Sequence, residues 1–298
     1  MKNKFKSSVL LQILVLSFFA GSMSTLNKYA LEEVPTASFV AIRLLIVATL
    51  TLLVMKYYKQ KASIKNFKKF VPVAIFWCLN FLLFAIGVQS TTSITAQFIH
   101  ISIPMLTALM AMLLLRERLS WTQWSGVYIA ALGVSGVIFA NNSLSFSGHE
   151  FIGNIIVFSS ALCFSIYAVL SKMKKFHDIK PAEMILIASI LGSIIYLPFA
   201  VNEIGTGWIG NVSILSWLAV ILVGIISTVF YIGMQSIIKS HGPSVATTNL
   251  YLIPIFTIFW ASLILGEKLE LIVMLGGLVS LAGVWMITRF SSRDSQVK

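Results

Sequence analysis

The sequence predicts an all-α integral membrane protein with ten transmembrane helices, arranged as two inverted five-helix repeats around a central cavity. Three observations lead to this prediction. The composition is too apolar for a soluble chain, long apolar segments recur along the whole length, and part of the first half returns in the second half.

The amino-acid composition excludes a soluble fold. Of the 298 residues, 58% are hydrophobic and 11% are charged, and the mean hydropathy is +0.92. A soluble protein this apolar would lack the polar side chains needed to cover its surface. Inside a bilayer every backbone amide must be bonded within the protein, so the apolar segments are predicted to be helices.

Ten apolar segments are separated by charged or turn-rich breaks, and about 20 residues suffice to cross a hydrocarbon core of about 30 Å. The predicted spans are 8–27, 36–56, 70–90, 93–115, 120–140, 152–171, 181–200, 213–237, 244–265 and 269–289. The first segment resembles a signal peptide, but its apolar stretch is longer than that of a signal peptide. We therefore expect it to be retained as a helix.

The basic residues determine the predicted orientation. The net charge is +12, and with the N-terminus in the cytoplasm only Lys28, Arg43 and Lys268 of the 22 basic residues lie outside the cytoplasmic segments. The positive-inside rule therefore places both termini in the cytoplasm. The same placement explains the positive charge without nucleic-acid binding, which we do not expect.

An internal repeat relates the two halves of the chain at a shift of 150 positions. The repeated positions, taken in pairs, are Pro104 and Pro254, Glu117 and Glu267, Gly126 and Gly276, and Gly133 and Gly283. A slightly smaller shift aligns Lys28 with Lys172. Because each half contains five spans, an odd number, the two copies are predicted to have opposite orientations. Inverted repeats are typical of secondary transporters, which bind substrate between the halves.

This repeat sets the predicted organisation of the chain. The first repeat covers 8–140, an outer connecting loop covers 141–151, the second repeat covers 152–289, and a cytoplasmic tail covers 290–298.

The repeated segments also carry a resemblance to a known family. They read PMLTALMAMLLLRERLSWTQWSGVYIAALGV in the first half and PIFTIFWASLILGEKLELIVMLGGLVSLAGV in the second. They resemble the EamA family of ten-helix carriers in the drug/metabolite transporter superfamily, where a proline-containing helix ends in Gly-Glu-basic-Leu. Arg116 departs from this pattern, since the second copy has Gly266. The resemblance implies a carrier in the inner membrane of a bacterium, often an exporter of amino acids or related metabolites.

Polar side chains within the spans are candidates for a substrate cavity, because such groups usually face protein or a cavity. The candidate substrate-binding residues are Trp77, Asn80, Gln97, His100, Tyr231, Gln235, Asn249 and Arg43. Helix packing through interhelical hydrogen bonds is the alternative. His100 would either carry a coupling proton or be a neutral imidazole bonded to a neighbouring helix. Arg43 would bind a substrate carboxylate, extend outward toward Glu32 or Glu33, or bond carbonyls at a helix end.

The repeated residues are predicted to be structural. Pro104 and Pro254 are expected to kink their helices and to act as hinges or cavity walls. Glu117 and Glu267 lie at span ends, where each carboxylate would offset the N-terminal dipole of the following helix. Close-packed seams are predicted at Gly126, Gly133, Gly276 and Gly283.

The predicted function is secondary transport by alternating access, exporting a small neutral or zwitterionic metabolite, with an amino acid or related compound favoured. A broad-specificity exporter of amphipathic drugs is the alternative. All ten acidic residues lie in loops or at span ends, so ion coupling by a midplane carboxylate pair is not expected. Cys78 and Cys163 have no partner at metal-ligand spacing, and no enzyme motif occurs, so no catalysis, metal or cofactor is predicted. The expected partners are a small-molecule substrate and the lipid bilayer, and the oligomeric state is left open.

Overall fold

The computed structural model describes residues 2–140, 148–241 and 249–294, and these residues are almost entirely helical. In chain order the helices are α1 Lys2–Leu31, α2 Thr36–Tyr57, α3 Ile64–Gln89, α4 Ser93–His100, α5 Ile103–Leu115, α6 Trp121–Ile138, α7 His149–Ser171, α8 Pro181–Ile204, α9 Ile214–His241, α10 Asn249–Ile264 and α11 Leu271–Asp294. Two short 3-10 helices cover Lys174–Phe176 and Trp208–Asn211. The described residues contain no β-strand, so the predicted all-α fold is confirmed.

Eight stretches of helix are long and apolar enough to cross a membrane. They lie in α1, α2, α3, α4 with α5, α7, α8, α9 and α11. Helix α10 is a shorter apolar helix, and α6 is an 18-residue helix that packs along α11. The outward faces carry many exposed large apolar side chains, Leu45 and Leu53 among them. Lipid can cover such faces, whereas water would leave them unfavourably exposed. The described chain is therefore a multi-pass membrane protein.

The fourth predicted span is broken in the middle. Helix α4 ends at His100, and α5 begins at Ile103 with Pro104 in its first turn. A proline ring collides with the carbonyl four residues earlier, and here that carbonyl belongs to His100, so α4 ends there. The repeat-related Pro254 lies inside α10, where the helix continues through it without a break.

Glycines allow α6 and α11 to approach closely. A Cβ at Gly133 would lie 2.4 Å from the backbone N of Ser280 and 2.5 Å from the carbonyl O of Gly276. A Cβ at Gly283 would lie 2.5 Å from the carbonyl O of Gly126. Gly126 thus faces Gly283 while Gly133 faces Gly276, so the two helices run antiparallel.

Glutamate carboxylates accept hydrogen bonds at or just before several helix N-termini, where the first backbone N–H groups have no partner within the helix. Each carboxylate comes from a different part of the chain than the helix it binds. Glu203 accepts hydrogen bonds at the start of α2, Glu183 just before α3, Glu267 at α4, and Glu33 just before α9. Hydrogen bonds from Ser213 hold the pKa of the Glu33 carboxyl below its usual value. These contacts join helices at the ends of the bundle.

Candidate functional site

Five aromatic side chains meet inside the bundle. We call Trp77, Phe81, Phe164, Tyr167 and Tyr231 the central aromatic cluster; they come from α3, α7 and α9. Trp77 is 2% exposed and lies halfway along α3, which places it near the centre of the bundle. Its ring centroid is 4.8 Å from those of Tyr167 and Tyr231, 5.2 Å from that of Phe81 and 6.1 Å from that of Phe164.

Arg43 of α2 packs against this cluster. Its guanidinium carbon lies 4.4 Å from the ring centroid of Phe81, and the residue is 5% exposed. Nη1 donates a hydrogen bond to Oδ1 of Asn27 at 3.2 Å, and Nη2 donates to Oγ of Ser227 at 2.8 Å. The side chain therefore turns into the bundle, and the expected alternative of an outward path toward Glu32 or Glu33 is not observed.

Two buried N–H groups in this region have no hydrogen-bond partner among the described residues. They are Nε of Arg43 and Nε1 of Trp77. Buried donors are nearly always bonded, and leaving one unbonded costs about 1–3 kcal/mol. An acceptor on a bound molecule would satisfy donors placed in this way.

Asn80 and His100 form a separate group around one residue of α7. Asn80 donates to the carbonyl of Ser160 at 2.9 Å, and Nε2 of His100 lies 2.8 Å from the Ser160 hydroxyl. That hydroxyl also donates a hydrogen bond to the carbonyl of Val157 at 2.7 Å, and with its proton in this position it accepts from Nε2–H of His100. Both candidates thus make the interhelical hydrogen bonds that were the alternative to substrate contact, and they join α3 and α4 to α7.

The remaining candidates lie elsewhere or outside the described part of the chain. Asn249 is fully buried at the start of α10, where it contacts Ser17 of α1 and the sulfur of Met234 of α9. Gln97 is partly exposed on α4. The side chain of Gln235 lies outside the described residues. Of the eight candidates, the structure brings Arg43, Trp77 and Tyr231 together at the central aromatic cluster, and it brings Asn80 and His100 together at Ser160.

Sequence reasoning missed several members of the site. Phe81 lies one helical turn after Trp77, and Phe164 and Tyr167 are three residues apart, so aromatic pairs at helical spacing were a usable signal. Asn27 and Ser227 gave no such signal, because they come from two helices far apart in sequence and meet only at Arg43.

Glu267 binds a different helix from the one expected. Its carboxylate accepts from the backbone N–H of Ser93 at 2.9 Å and of Ile94 at 3.2 Å, both at the start of α4 rather than of the following helix α11. Lys28 lies 3.1 Å away and also donates to the carbonyl of Thr91 at 2.7 Å. The expected helix was wrong because the free N–H groups of α4 come within reach of this carboxylate.

Glu117, the repeat-related residue, makes no comparable contact. Its side chain is exposed, and its carboxylate has no hydrogen bond or ion pair with any described residue. The start of the following helix, α6, is closed instead by a capping box between Ser120 and Gln123. The expected role of Glu117 at that N-terminus is therefore not observed.

Within the described ranges, His, Cys, Asp and Glu side chains form no group of three or more that could hold a metal ion. The site consists of aromatic faces, one guanidinium and neutral polar groups. Such a lining can bind a small organic molecule by packing and by a few directed hydrogen bonds.

A multi-pass helical bundle that holds polar groups among aromatic rings in its interior is an integral membrane protein with the kind of buried polar site that transporters use. The chain belongs to the EamA-like transporter family, whose model matches residues 7–139 and again residues 151–289. The resemblance noted in the sequence is therefore confirmed.

Several curated proteins are similar to this chain over much of its length. The uncharacterized transporter YyaM of Bacillus subtilis is 23% identical, covering 96% of this chain and 97% of the relative. The uncharacterized transporter YetK of the same species is 25% identical, with coverages of 89% and 82%. A protein of Streptantibioticus cattleyicolor named "Probable terminal-alkyne amino-acid exporter" is 23% identical, with coverages of 65% and 64%.

One solved crystal structure superposes on the chain with a TM-score of 0.60 and 16% identity. It covers 95% of this chain and 98% of its own. At that identity the likeness shows the fold alone.

Proposed function

We propose that this chain is a secondary transporter that exports a small neutral or zwitterionic metabolite, an amino acid or related compound, by alternating access across the cytoplasmic membrane of a bacterium. The observation that carries the proposal is the central aromatic cluster with Arg43, inside the helix bundle of a chain that belongs to a transporter family. Rings bind an apolar body, and a few donors orient a polar end. The relative named "Probable terminal-alkyne amino-acid exporter" supports this substrate class.

Helix contacts support an inverted arrangement of the two repeats, 8–140 and 152–289, joined by 141–151. The equivalent helices α6 and α11 run antiparallel through their glycine seam. Helix α1 packs on α9 and α10, as the equivalent α7 packs on α3 and on α4 with α5. Glu33 accepts a hydrogen bond from the backbone N–H of Ser213, just before α9. Glu183, 150 positions later, accepts one from the backbone N–H of Ser63, just before the equivalent α3. Exchange of equivalent partners is expected when two copies pack around a pseudo-two-fold axis in the membrane plane.

Alternating access also explains the difference between Glu267 and Glu117. With both termini and the tail 290–298 in the cytoplasm, the pair of Lys28 and Glu267 lies on the outer side and joins α1 to α4. The equivalent Lys172 and Glu117 lie on the cytoplasmic side, where Glu117 is exposed and unbonded among the described residues. In our proposal this conformation is closed on the outer side, and the break before Pro104 is one hinge.

The residues take two roles in this proposal. Arg43, Trp77 and Tyr231 contact the substrate, while Asn80 and His100 hold the wall formed by α3, α4 and α7. Gln97, Gln235 and Asn249 stay candidate cavity residues.

A broad-specificity exporter of amphipathic compounds is the second candidate. The observation in its favour is that rings predominate at the centre, because aromatic faces accept many apolar molecules without strict geometry. Such a carrier would move chemically unrelated dyes that compete weakly with one another.

Counterflow in proteoliposomes tests the proposal with a labelled amino-acid panel and a dye panel. We expect uptake of a restricted set of amino acids in vesicles that contain the protein. Trp77→Leu should reduce the rate at least about tenfold, because it removes the ring that contacts four others. Trp121→Leu is the matched control, since Trp121 is 89% exposed at the start of α6.

Normal transport by Trp77→Leu would remove the cluster from the transport path. Transport of dyes but of no amino acid would favour the second candidate.

A further inference from the structure

The buried guanidinium of Arg43 poses a charge problem for the bundle. A cation in the middle of a membrane protein is costly unless an anion or several polar groups compensate for the lost water. Arg43 is the only cationic side chain among the buried residues described. Asn27 and Ser227 compensate it with neutral oxygens only, and Phe81 covers one face.

The described carboxylates do not supply the missing negative charge. The buried Glu183 bonds the backbone N–H of Ser63, and Glu203 and Glu267 bond the N-termini of α2 and α4. Glu33 bonds Ser213, and Asp178 pairs with Lys69. Arg43 has no hydrogen bond or ion pair to a carboxylate in the part of the chain that the structure describes.

The guanidinium retains capacity for an acceptor. It carries five N–H donors in a planar fork, of which the described contacts use two, and Nε is buried and unbonded. Nε1 of Trp77 is a second buried, unbonded donor, on the ring next to Phe81. A carboxylate matches the guanidinium fork in shape and charge.

We propose that the substrate carries a single carboxylate, bound by Arg43, and an apolar or aromatic body that packs on Trp77 and Tyr231. The inference rests on the proposed function and names the substrate class of the same site. A phosphate or dicarboxylate fits less well, because one buried cation would leave a second negative charge unpaired.

The conformation described is closed around this group. Arg43 is 5% exposed, and Asn27 and Ser227 occupy two of its donors. Substrate binding therefore requires rearrangement, in which a carboxylate replaces one or both neutral acceptors. Because a carboxylate brings a full negative charge and can accept two parallel hydrogen bonds from the guanidinium, the exchange favours the bound state.

Binding to the purified full chain in detergent tests this inference without relying on transport. The probes are L-phenylalanine, N-acetyl-L-phenylalanine, which keeps the carboxylate, and L-phenylalaninamide, which lacks it; L-leucine tests whether the body must be aromatic. We expect both acids to bind about 10- to 100-fold more tightly than the amide, the range given by a hydrogen bond to a charged group. Sodium chloride should not displace them, which separates a carboxylate site from a general anion site.

Variants test whether Arg43 causes the preference for the acids over the amide. Arg43→Gln should bind acid and amide about equally, while Arg118→Gln, at an exposed position, should keep the preference of the parent. If Arg43→Gln does not fold, the preference of the parent still decides the substrate class.

Equal binding of acid and amide by the parent, or binding of neither, would overturn the inference, and so would an acid preference that persists in Arg43→Gln. Counterflow separates these failures from failure of the proposed function. A parent that transports the amide as well as the acid is an exporter without a carboxylate site, whereas one that transports none of the panel fails as the proposed transporter.

Discussion

Arg43 and His100 show how the bundle treats two polar groups differently. Nε2 of His100 has a partner, because it bonds the Ser160 hydroxyl, which in turn donates a hydrogen bond to the carbonyl of Val157. Phe84 packs on the imidazole with a centroid distance of 4.7 Å. Arg43 keeps an unbonded N–H among aromatic rings. The first pattern is typical of helix packing and the second of a site that awaits an acceptor.

The His100 geometry leads to a prediction about proton coupling. His100→Gln can still donate to Ser160, so it should transport within about twofold of the parent, whereas His100→Leu leaves Ser160 without this donor and should be slower. Transport rates of all three, measured between about pH 6 and 8 across the usual titration range of histidine, check this. A pH dependence present in the parent and absent in His100→Gln would show that His100 carries the proton.

At the scale of the element, the close packing of α6 against α11 depends on glycines, which have no side chain. Gly133→Ala would place a methyl group 2.4 Å from a backbone nitrogen of α11, and backbone cannot move aside cheaply. Overpacking of this kind costs about 1–3 kcal/mol. Gly136→Ala is the matched control on the same helix, because its nearest atom would be 3.9 Å away.

We therefore expect a lower melting temperature for purified Gly133→Ala. Gly136→Ala should match or exceed the parent, since alanine favours a helix over glycine by up to about 1 kcal/mol. Equal melting temperatures for the two variants would mean that α6 and α11 do not pack as described.

The carboxylate of Glu267 holds the start of α4 against the ends of α1 and α10. Glu267→Gln removes the charge that faces Lys28 and two backbone N–H groups, and it should destabilise the protein by about 1–3 kcal/mol. Glu117→Gln changes an exposed carboxylate and should leave the stability unchanged. Thermal unfolding of the two purified variants gives the comparison, and an equal loss in both would contradict the assigned contact.

The elements themselves could be predicted from the sequence, because length and apolarity are local properties. The described helices fall close to the predicted spans, apart from the break at Ile101 and Ser102, which Pro104 signalled only as a kink. Residues 244–248 of the predicted span 244–265 lie outside the described part of the chain. The partners of these elements could not be predicted. Glu267 was assigned to the helix next in sequence, and its actual partner at Ser93 lies 174 positions away.

The site was predictable in part for the same reason. A polar or aromatic residue inside an apolar span is visible in the sequence, so Arg43, Trp77 and Tyr231 could be proposed. Which polar residues meet is a tertiary property. Asn80 and His100 looked like cavity residues but bond Ser160, and Arg43 is held by Asn27 and Ser227, which come from different helices.

At the scale of the whole molecule, hydrogen bonds at the helix ends join the two halves that match the family model. Backbone N–H groups at helix N-termini in one half donate hydrogen bonds to carboxylates of the other, as the start of α2 donates to Glu203 and the start of α4 donates to Glu267. With short loops, the ends of the helices are thus fixed by contacts across the bundle. Rocking one half against the other would exchange such contacts on one side for contacts on the opposite side.

The proposed inversion of the repeats has a direct topological consequence. Arg118 and Lys268 are equivalent positions, both exposed, and they follow the repeated glutamates. Inverted repeats require them on opposite sides of the membrane, with Arg118 in the cytoplasm.

We predict that in intact cells a membrane-impermeant maleimide labels Lys268→Cys but not Arg118→Cys, in a background where Cys78 and Cys163 are alanine. Detergent should make Arg118→Cys reactive, which controls for its exposure. Labelling of both positions in intact cells, or of Arg118→Cys alone, would rule out the proposed topology, because a parallel repeat places equivalent positions on one side.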